Sequence, residues 1–241
     1  MSRYWNIEDN ERYISWGAGI NSTAIIGLYL LGRLGEKKPE IVFADTGGEH
    51  DTTYRYIKDI RHIIGKDAIT IISPHSHKEF YSPWVRERKL YDALWEDRIF
   101  PHFNGRFCTS DWKVKPLKKY TNGRKRIIGI CSDELGRIHN DENIEYPIKD
   151  YSRDDCIRII AEAGLPPPHK TGCWFCPFKN KTQWLHLYDE ESDKLHNCCE
   201  LEKRTNFRYF KKMSLRKQVE KWVIERDLES QQLWMIWEGE N

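Results

Sequence analysis

The segment Tyr13-Ile14-Ser15-Trp16-Gly17-Ala18-Gly19-Ile20-Asn21-Ser22-Thr23 constrains the fold of this chain more than any other. It runs at once into Ala24-Ile25-Ile26-Gly27-Leu28-Tyr29-Leu30-Leu31, so a short strand, a glycine-punctuated turn and an apolar helix follow one another. Gly17 and Gly19 are expected to take positive φ and to let a ligand approach the backbone closely. Asn21, Ser22 and Thr23 fall where the helix starts, so their side chains and the free backbone N–H groups can point at an anion. The positive end of the helix dipole adds to that field. A phosphate-bearing ligand is the expected guest. Residue types exclude two phosphate loops: the Walker loop ends Gly-Lys-Ser/Thr, and the first lysine here is Lys37; the dinucleotide fingerprint needs a third glycine where Ser22 stands. Taken alone, the turn also fits an ordinary strand-to-helix connection with a polar cap.

Further apolar runs alternate with helical stretches. Ile41–Ala44, Ile69–Ile72 and Arg126–Ile130 read as strands, and Thr52–Ile64 reads as a helix with Tyr56, Ile57, Ile60, Ile63 and Ile64 near a 3.6-residue period. Strands spaced by helices imply parallel βαβ units, whose ligands sit beyond the carboxyl ends of the strands. The expected class is therefore α/β, a doubly wound, mainly parallel sheet with a helical C-terminal part. Residues 1–150 are expected to form the nucleotide-binding domain and residues 151–241 a cysteine-bearing helical region packed on it. The turns after Ile14, Ala44 and Ile130 should surround one crevice. Asp45-Thr46-Gly47 could hold a ribose or a magnesium ion bridging phosphates. Asp133, Glu134 and Arg137 offer paired carboxylates and a guanidinium, with Arg137 able to pair with phosphate or with Glu134.

Ser152 reads as the N-cap of a helix that runs to Ala163 and is stopped by Gly164, with Asp155 closing a capping box. Aromatic and charged residues mix from Ser73 to Pro101, in keeping with a surface subdomain or a cover over the crevice. Helices are expected from Lys179 to the end, with Trp222, Trp234 and Trp237 as packing residues. The segment from Lys203 to Lys217 interleaves basic and aromatic side chains and is either a solvated helix face or a DNA- or RNA-binding face. Net charge, +2, does not decide between them. There is no apolar leader at the N-terminus and no run of the roughly 18–20 apolar residues that a membrane span requires. A cytoplasmic protein without membrane contact is the expectation.

Seven cysteines in such a chain are expected as metal ligands or reactive thiols rather than disulfides. Cys173-Trp174-Phe175-Cys176 has the spacing that lets two thiolates grip one metal. Cys108 is the first candidate for a third ligand. Cys198 or Cys199 could be a fourth, but not both, because helix neighbours face apart. Cys131 and Cys156 read as packing residues.

Several of these segments together resemble one family. The Ser15–Ala24 loop resembles the pyrophosphate loop (PP-loop) of adenine-nucleotide α-hydrolase-like proteins. Asp45-Thr46-Gly47 with Thr53-Tyr54, Arg106-Phe107-Cys108-Thr109 with Trp112-Lys113 and Pro116-Leu117, Gly129–Glu134 with Arg137, and Gly164-Leu165-Pro166 before Gly-Cys-x-x-Cys resemble phosphoadenosine-phosphosulfate (PAPS) reductase motifs in the same order. The similarity spans roughly residues 13–180. Gly172-Cys173-Trp174-x-Cys176 is most similar to the iron–sulfur ATP-pyrophosphatase branch of DNA phosphorothioation systems.

The resemblance implies a nucleotide-dependent enzyme that cleaves ATP between its α and β phosphates in support of sulfur transfer. Ser15, Gly17, Gly19, Asn21, Ser22 and Thr23 would hold phosphates, and Asp45, Thr46 and Gly47 ribose or Mg2+. Gly129, Asp133, Glu134 and Arg137 would contact nucleotide or substrate, with Ser22, Asp45, Asp133 and Arg137 in catalytic roles. Cys108, Cys173, Cys176 and Cys198 would ligate a 4Fe–4S cluster, or Zn2+ as the alternative. A cysteine desulfurase or other sulfur donor and a homodimer are further implied partners. Two other readings stay open: a PAPS or adenylyl-sulfate reductase, which needs a C-terminal Glu-Cys-Gly-x-His cysteine that this chain lacks, and a catalytically silent nucleotide-binding subunit of a nucleic-acid modification complex.

Overall fold

Five short strands, β1 (Asp9–Ser15), β2 (Pro39–Ala44), β3 (Ile69–Ile72), β4 (Lys125–Ile127) and β5 (Ile144–Glu145), form one all-parallel sheet in the order β3-β2-β1-β4-β5. The computed structural model describes residues 5–74, 84–101 and 105–239, with side chains as far as residue 230. The chain leaves β1 towards β2 on one side and returns to β4 on the other. The edge where β1 and β4 end is therefore the switch point at which open parallel sheets leave a crevice. The pairings Ser15–Val42 and Ile14–Ile127 bring the ends of β1, β2 and β4 level.

Burial explains the element order. All six residues of β2 are buried, as expected for an inner strand covered on both faces. Its one charged residue, Glu40, accepts hydrogen bonds from Tyr120 (2.7 Å) and Thr70 and pairs with Arg124 at 2.7 Å, so the carboxylate is compensated. Helix α1 (Ile20–Leu30) is buried continuously from Thr23 to Tyr29. Helix α2 (Asp51–Ile64) buries Tyr56, Ile57, Ile60 and Ile64, the face its periodicity predicted. The sequence expected β4 to run on to Ile130, but the ladder ends at Ile127. The backbone from Ile128 instead bends to pass Gly129 against the start of α1.

The chain divides into two compact units, 1–90 with 107–173, and 91–106 with 174–241. Residues 151–173, expected to belong with the C-terminal region, lie in the first unit. The reason is α6 (Arg153–Glu162), which packs along α1. The Ser152–Asp155 capping box predicted for its start is present, and Gly164 ends it at φ +66°. Contact with α1 is close because of Gly27: a Cβ there would sit 3.0 Å from Ile159 Cγ2 and 3.2 Å from the Ile159 carbonyl. Between α2 and α6 come α3 (Leu90–Glu96), the one-turn α4 (Phe107–Thr109), a π-helical turn (Ser110–Val114) that runs straight into α5 (Lys115–Thr121), and a 3-10 stretch (Ser132–Arg137). Of the 73–101 stretch, Phe80 and Tyr81 lie outside the described residues.

In the second unit, α7 (Lys181–Glu190), α8 (Ser192–Thr205) and α9 (Leu215–Gly239) pack on one another, as the helical reading from Lys179 onward predicted, except that residues 206–214 form a non-helical connection. Trp184, Leu187, Leu201 and Leu215 are fully buried there. Buried Glu202 holds the α8–α9 connection at two points, accepting from the backbone N–H of Tyr209 at 3.0 Å and of Leu215 at 2.9 Å. The side chains of Trp234 and Trp237 lie outside the described part. No helix among the described residues is long and apolar enough to cross a membrane.

The α1–α6 contact leaves no room for extra methyl groups. Gly27→Val should lower unfolding free energy by about 1–3 kcal/mol, read as a shift in denaturant midpoint. A midpoint equal to that of the parent chain would contradict the packing.

Candidate functional site

The turn between β1 and α1 sits at the switch point and opens one side of a cavity of about 580 Å³, a size suited to a nucleotide. Gly19 is the N-cap in extended conformation, at φ −99° and ψ 173°. The positive φ expected at Gly17 and Gly19 falls instead on Ala18, between them, at +55°. A non-glycine residue held in that region is uncommon and marks a backbone fixed by its surroundings; Ala18 is fully buried. A Cβ on Gly17 would meet no protein atom within 4 Å, and Gly17 lines the cavity, so glycine here leaves space for a guest. The Ser22 hydroxyl closes the loop on itself, accepting from Gly17 N–H at 3.2 Å and donating to the Gly19 carbonyl at 3.3 Å.

Ser15, Gly17, Gly19, Asn21 and Ser22 line the cavity as the sequence predicted. Thr23 does not: it is fully buried, and its hydroxyl accepts from the Trp16 indole at 3.0 Å. Gly129 comes from the other side. A Cβ on it would strike the Asn21 carbonyl carbon and the Ser22 nitrogen at 2.7 Å, both backbone atoms. Only glycine lets the chain after β4 lie against the first turn of α1.

The wall facing the loop is cationic. Lys113, Arg126, Arg137, Arg153 and Lys170 line the cavity together with one carboxylate, Glu134. Arg126 donates from Nη2 to Ser15 Oγ at 3.2 Å, while its buried Nε has no partner. Glu134 accepts from Asn21 Nδ2 at 2.8 Å and pairs with Arg137 at 2.5 Å, so Arg137 takes the carboxylate of the two partners open to it. Asn21 Oδ1 is likewise buried and unpartnered. Orphaned buried donors and acceptors are rare, and a ligand or water supplies the missing partner.

The Asp45-Thr46-Gly47 turn is turned inward and does not line the cavity. Asp45 Oδ1 accepts from Gly47 N–H and from the Tyr54 hydroxyl, both at 2.8 Å. Burial, and then the Asp45 carboxylate, push the Tyr54 phenol well above its ordinary pKa. Thr46 is fully buried against Glu49 and Cys173. Gly47, at φ +71°, packs against the Lys89 stem. Asp133 is exposed and accepts from the Arg153 N–H at 3.3 Å, at the start of α6. None of these four residues lines the cavity.

In the first unit a lysine interposes among the thiols. Lys113 Nζ pairs with the buried Glu49 carboxylate at 2.9 Å, and Cys173 Sγ lies 3.9 Å from the same oxygen. Burial pulls the Lys113 pKa down, but Glu49, Cys173 and Cys108 more than offset it, and the net shift is upward. In the second unit, Cys198 is fully buried with its thiol donating to the Trp174 carbonyl at 3.7 Å. Burial pushes that thiol well above the ordinary range, and Cys176 is half-buried. Among the described residues no three His, Cys, Asp or Glu side chains form a group able to hold a metal ion. Of the four cysteines expected as ligands, Cys108 and Cys173 lie in the first unit and Cys176 and Cys198 in the second. Cys131 and Cys156 are buried packing residues as expected, with Cys156 pushed up to about 12 by burial.

Sequence reasoning missed Arg126, Arg153, Lys170 and Lys113 as cavity residues. Arg126 was hidden inside a strand run. The other three are single cations in segments read for capping, for a stiff connector and for cysteine. A cation within an apolar strand next to the phosphate loop was the one available signal.

No family model matches the chain. An uncharacterized nin region protein, ORF290 of Escherichia phage lambda, is 26% identical over 212 residues, covering 76% of this chain and 70% of that one. Among solved structures, a phosphoadenylyl-sulfate (PAPS) reductase from Candida auris, crystallised as a phosphate complex, superposes with a TM-score of 0.50 at 16% identity, covering 69% of this chain and 82% of that one. The chain thus has a PAPS-reductase-like α/β fold, with its cation-lined cavity at the switch point of the parallel sheet.

Proposed function

We propose that this chain is a PP-loop enzyme that binds an adenine nucleotide by its phosphates and cleaves ATP between the α and β phosphates. One observation carries the reading: the open N-terminus of α1 faces a cavity with five cationic side chains and one carboxylate. The free N–H groups of the first turn and the unpartnered Nε of Arg126 are the donors a pyrophosphate would take. The phosphate complex of the fold neighbour agrees with a phosphate-binding role.

In this reaction an acceptor oxygen attacks the α phosphorus, and the bond from that phosphorus to the bridging oxygen breaks. The electron pair leaves with pyrophosphate. Fixed N–H donors, Arg126 and Lys113 stabilise the charge that develops there, so the chain acts through preorganised electrostatics. The adenylated oxygen then leaves as AMP when a hydrosulfide attacks the acceptor, the new bond to sulfur forming as the bond to that oxygen breaks. Magnesium, bound with the nucleotide, would neutralise phosphate charge; Asp45 is committed to Gly47 and Tyr54 and does not supply a ready ligand. The fold neighbour favours a second reading, thiol-dependent reduction of PAPS or adenylyl sulfate, and sulfite release is its assay.

Incubation with ATP, with water serving as the acceptor oxygen, should release pyrophosphate and AMP; ADP and phosphate as products would overturn the assignment. Arg126→Gln should lower pyrophosphate release about a hundredfold without shifting the melting temperature, and an unchanged rate would remove Arg126 from the site. The two glycines should separate function from folding. Gly17→Val fills cavity space alone, so nucleotide affinity falls while stability holds. Gly129→Ala strikes the Asn21–Ser22 backbone, so affinity falls and unfolding free energy drops by about 1–3 kcal/mol. Equal behaviour of the two variants by calorimetry and denaturant titration would contradict this geometry.

A further inference from the structure

The second unit carries a surface that the nucleotide site does not use. Between Lys203 and Lys217 the chain has seven basic residues and no aspartate or glutamate. All seven are exposed. Lys203 and Arg204 close α8, and Arg216 and Lys217 open α9. Arg208, Lys211 and Lys212 lie on the connection between them. That connection is a built structure. Asn206 ends α8 in the left-handed conformation, Glu202 clasps the backbone at Tyr209 and Leu215, and the Tyr209 hydroxyl donates to the Phe175 carbonyl at 3.1 Å.

Within this basic field one aromatic ring is presented outward. Phe207 is 43% exposed, a costly placement for a phenylalanine in a chain that buries most of its rings. It is held from beneath by stacking on buried Phe100 at 4.7 Å between centroids and 26° between planes. Arg204 is fixed beside it, its guanidinium 4.7 Å from the Trp95 ring centre and its Nε bonded to the Trp95 carbonyl at 2.6 Å. A half-exposed ring pinned among cations is the arrangement that grips a single strand, with phosphates on the cations and an unpaired base on the ring. An acidic membrane would also take cations and an exposed phenylalanine, but this ring lies stacked on Phe100, which offers a flat face to a base rather than a side chain projecting among acyl chains. A duplex hides its bases from such a ring.

We propose that the α8–α9 connection, with Phe207 as stacking platform and Arg208, Lys211 and Lys212 as phosphate contacts, binds single-stranded nucleic acid.

The test uses the full chain and fluorescein-labelled oligothymidylate, the matching oligouridylate, a duplex of the same length, and phosphatidylserine vesicles. The expected result is binding of the single strands over duplex and vesicles, with the tighter of the two strands naming DNA or RNA. Phe207→Ala should weaken single-strand binding about fivefold or more with its salt dependence unchanged. Lys211→Gln with Lys212→Gln should reduce the slope of log affinity against log salt by about 1.4. Lys211 and Lys212 are exposed, so the double variant should keep the parent melting temperature, and Phe207→Ala should be compared at a temperature where far-UV circular dichroism shows it fully folded, since it loses the stack on Phe100. Ser22→Ala should bind the strands normally, which separates this surface from the nucleotide site. Duplex bound as tightly as single strand, vesicles bound in place of oligonucleotides, or affinities unmoved by the variants would overturn the proposal.

Discussion

The approach of the Gly129 backbone to the Asn21–Ser22 peptide is the contact on which the rest of the first unit depends. Parallel pairing of β1 with β4 delivers two chain ends to the same edge, but level strand ends alone leave a gap between the following turns. The gap closes because Gly129 carries no side chain. The chain after β4 then lies directly on the start of α1 and carries Glu134 within reach of Asn21. The β1–α1 turn is thereby braced from outside, and the strained backbone at Ala18 is held by neighbours rather than by its own preference.

Charge is arranged on the same logic. Buried carboxylates in this protein are compensated: Glu40 by Arg124 and Tyr120, Glu49 by Lys113, and Glu202 by two backbone N–H groups. In the cavity the balance of charge is different. There cations outnumber carboxylates, and buried polar atoms of Arg126 and Asn21 are left without partners. A surplus of positive charge and unmet donors in a crevice costs stability unless an anion occupies it, which is why the imbalance points to a ligand rather than to packing. Lys113 belongs to both settings, bonded to Glu49 on one side and lining the cavity. The π-helical turn that bears it is a geometry often found at functional positions.

Much of the local structure was legible in the chain. Ser152 and Asp155 predicted the start of α6, and Gly164 its end, because capping depends on groups three residues apart. The apolar run from Ala24 to Leu31 predicted an apolar helix, and α1 is buried continuously from Thr23 to Tyr29. Thr23, Asp45 and Thr46 bond to protein neighbours for one reason: a hydroxyl or carboxylate at a strand end or helix start can face a ligand or its own surroundings, and sequence does not say which. Trp16, Tyr54 and Glu49 claimed those groups first. The spacing of Cys173 and Cys176 was equally silent about where Cys108 and Cys198 would lie.

By itself the sequence determined what local hydrogen bonding and periodicity control: the strand–turn–helix unit, the parallel α/β class, the helix caps, and the run of cations from Lys203 to Lys217. Tertiary structure decided which polar groups were left over to act. Arg126, Arg153 and Lys170, far apart in the chain, became one cavity wall only when β4, α6 and the segment after it were placed around the β1–α1 turn. That selection is long-range, because a polar side chain is free for a ligand only after packing has fixed which neighbours it does not have.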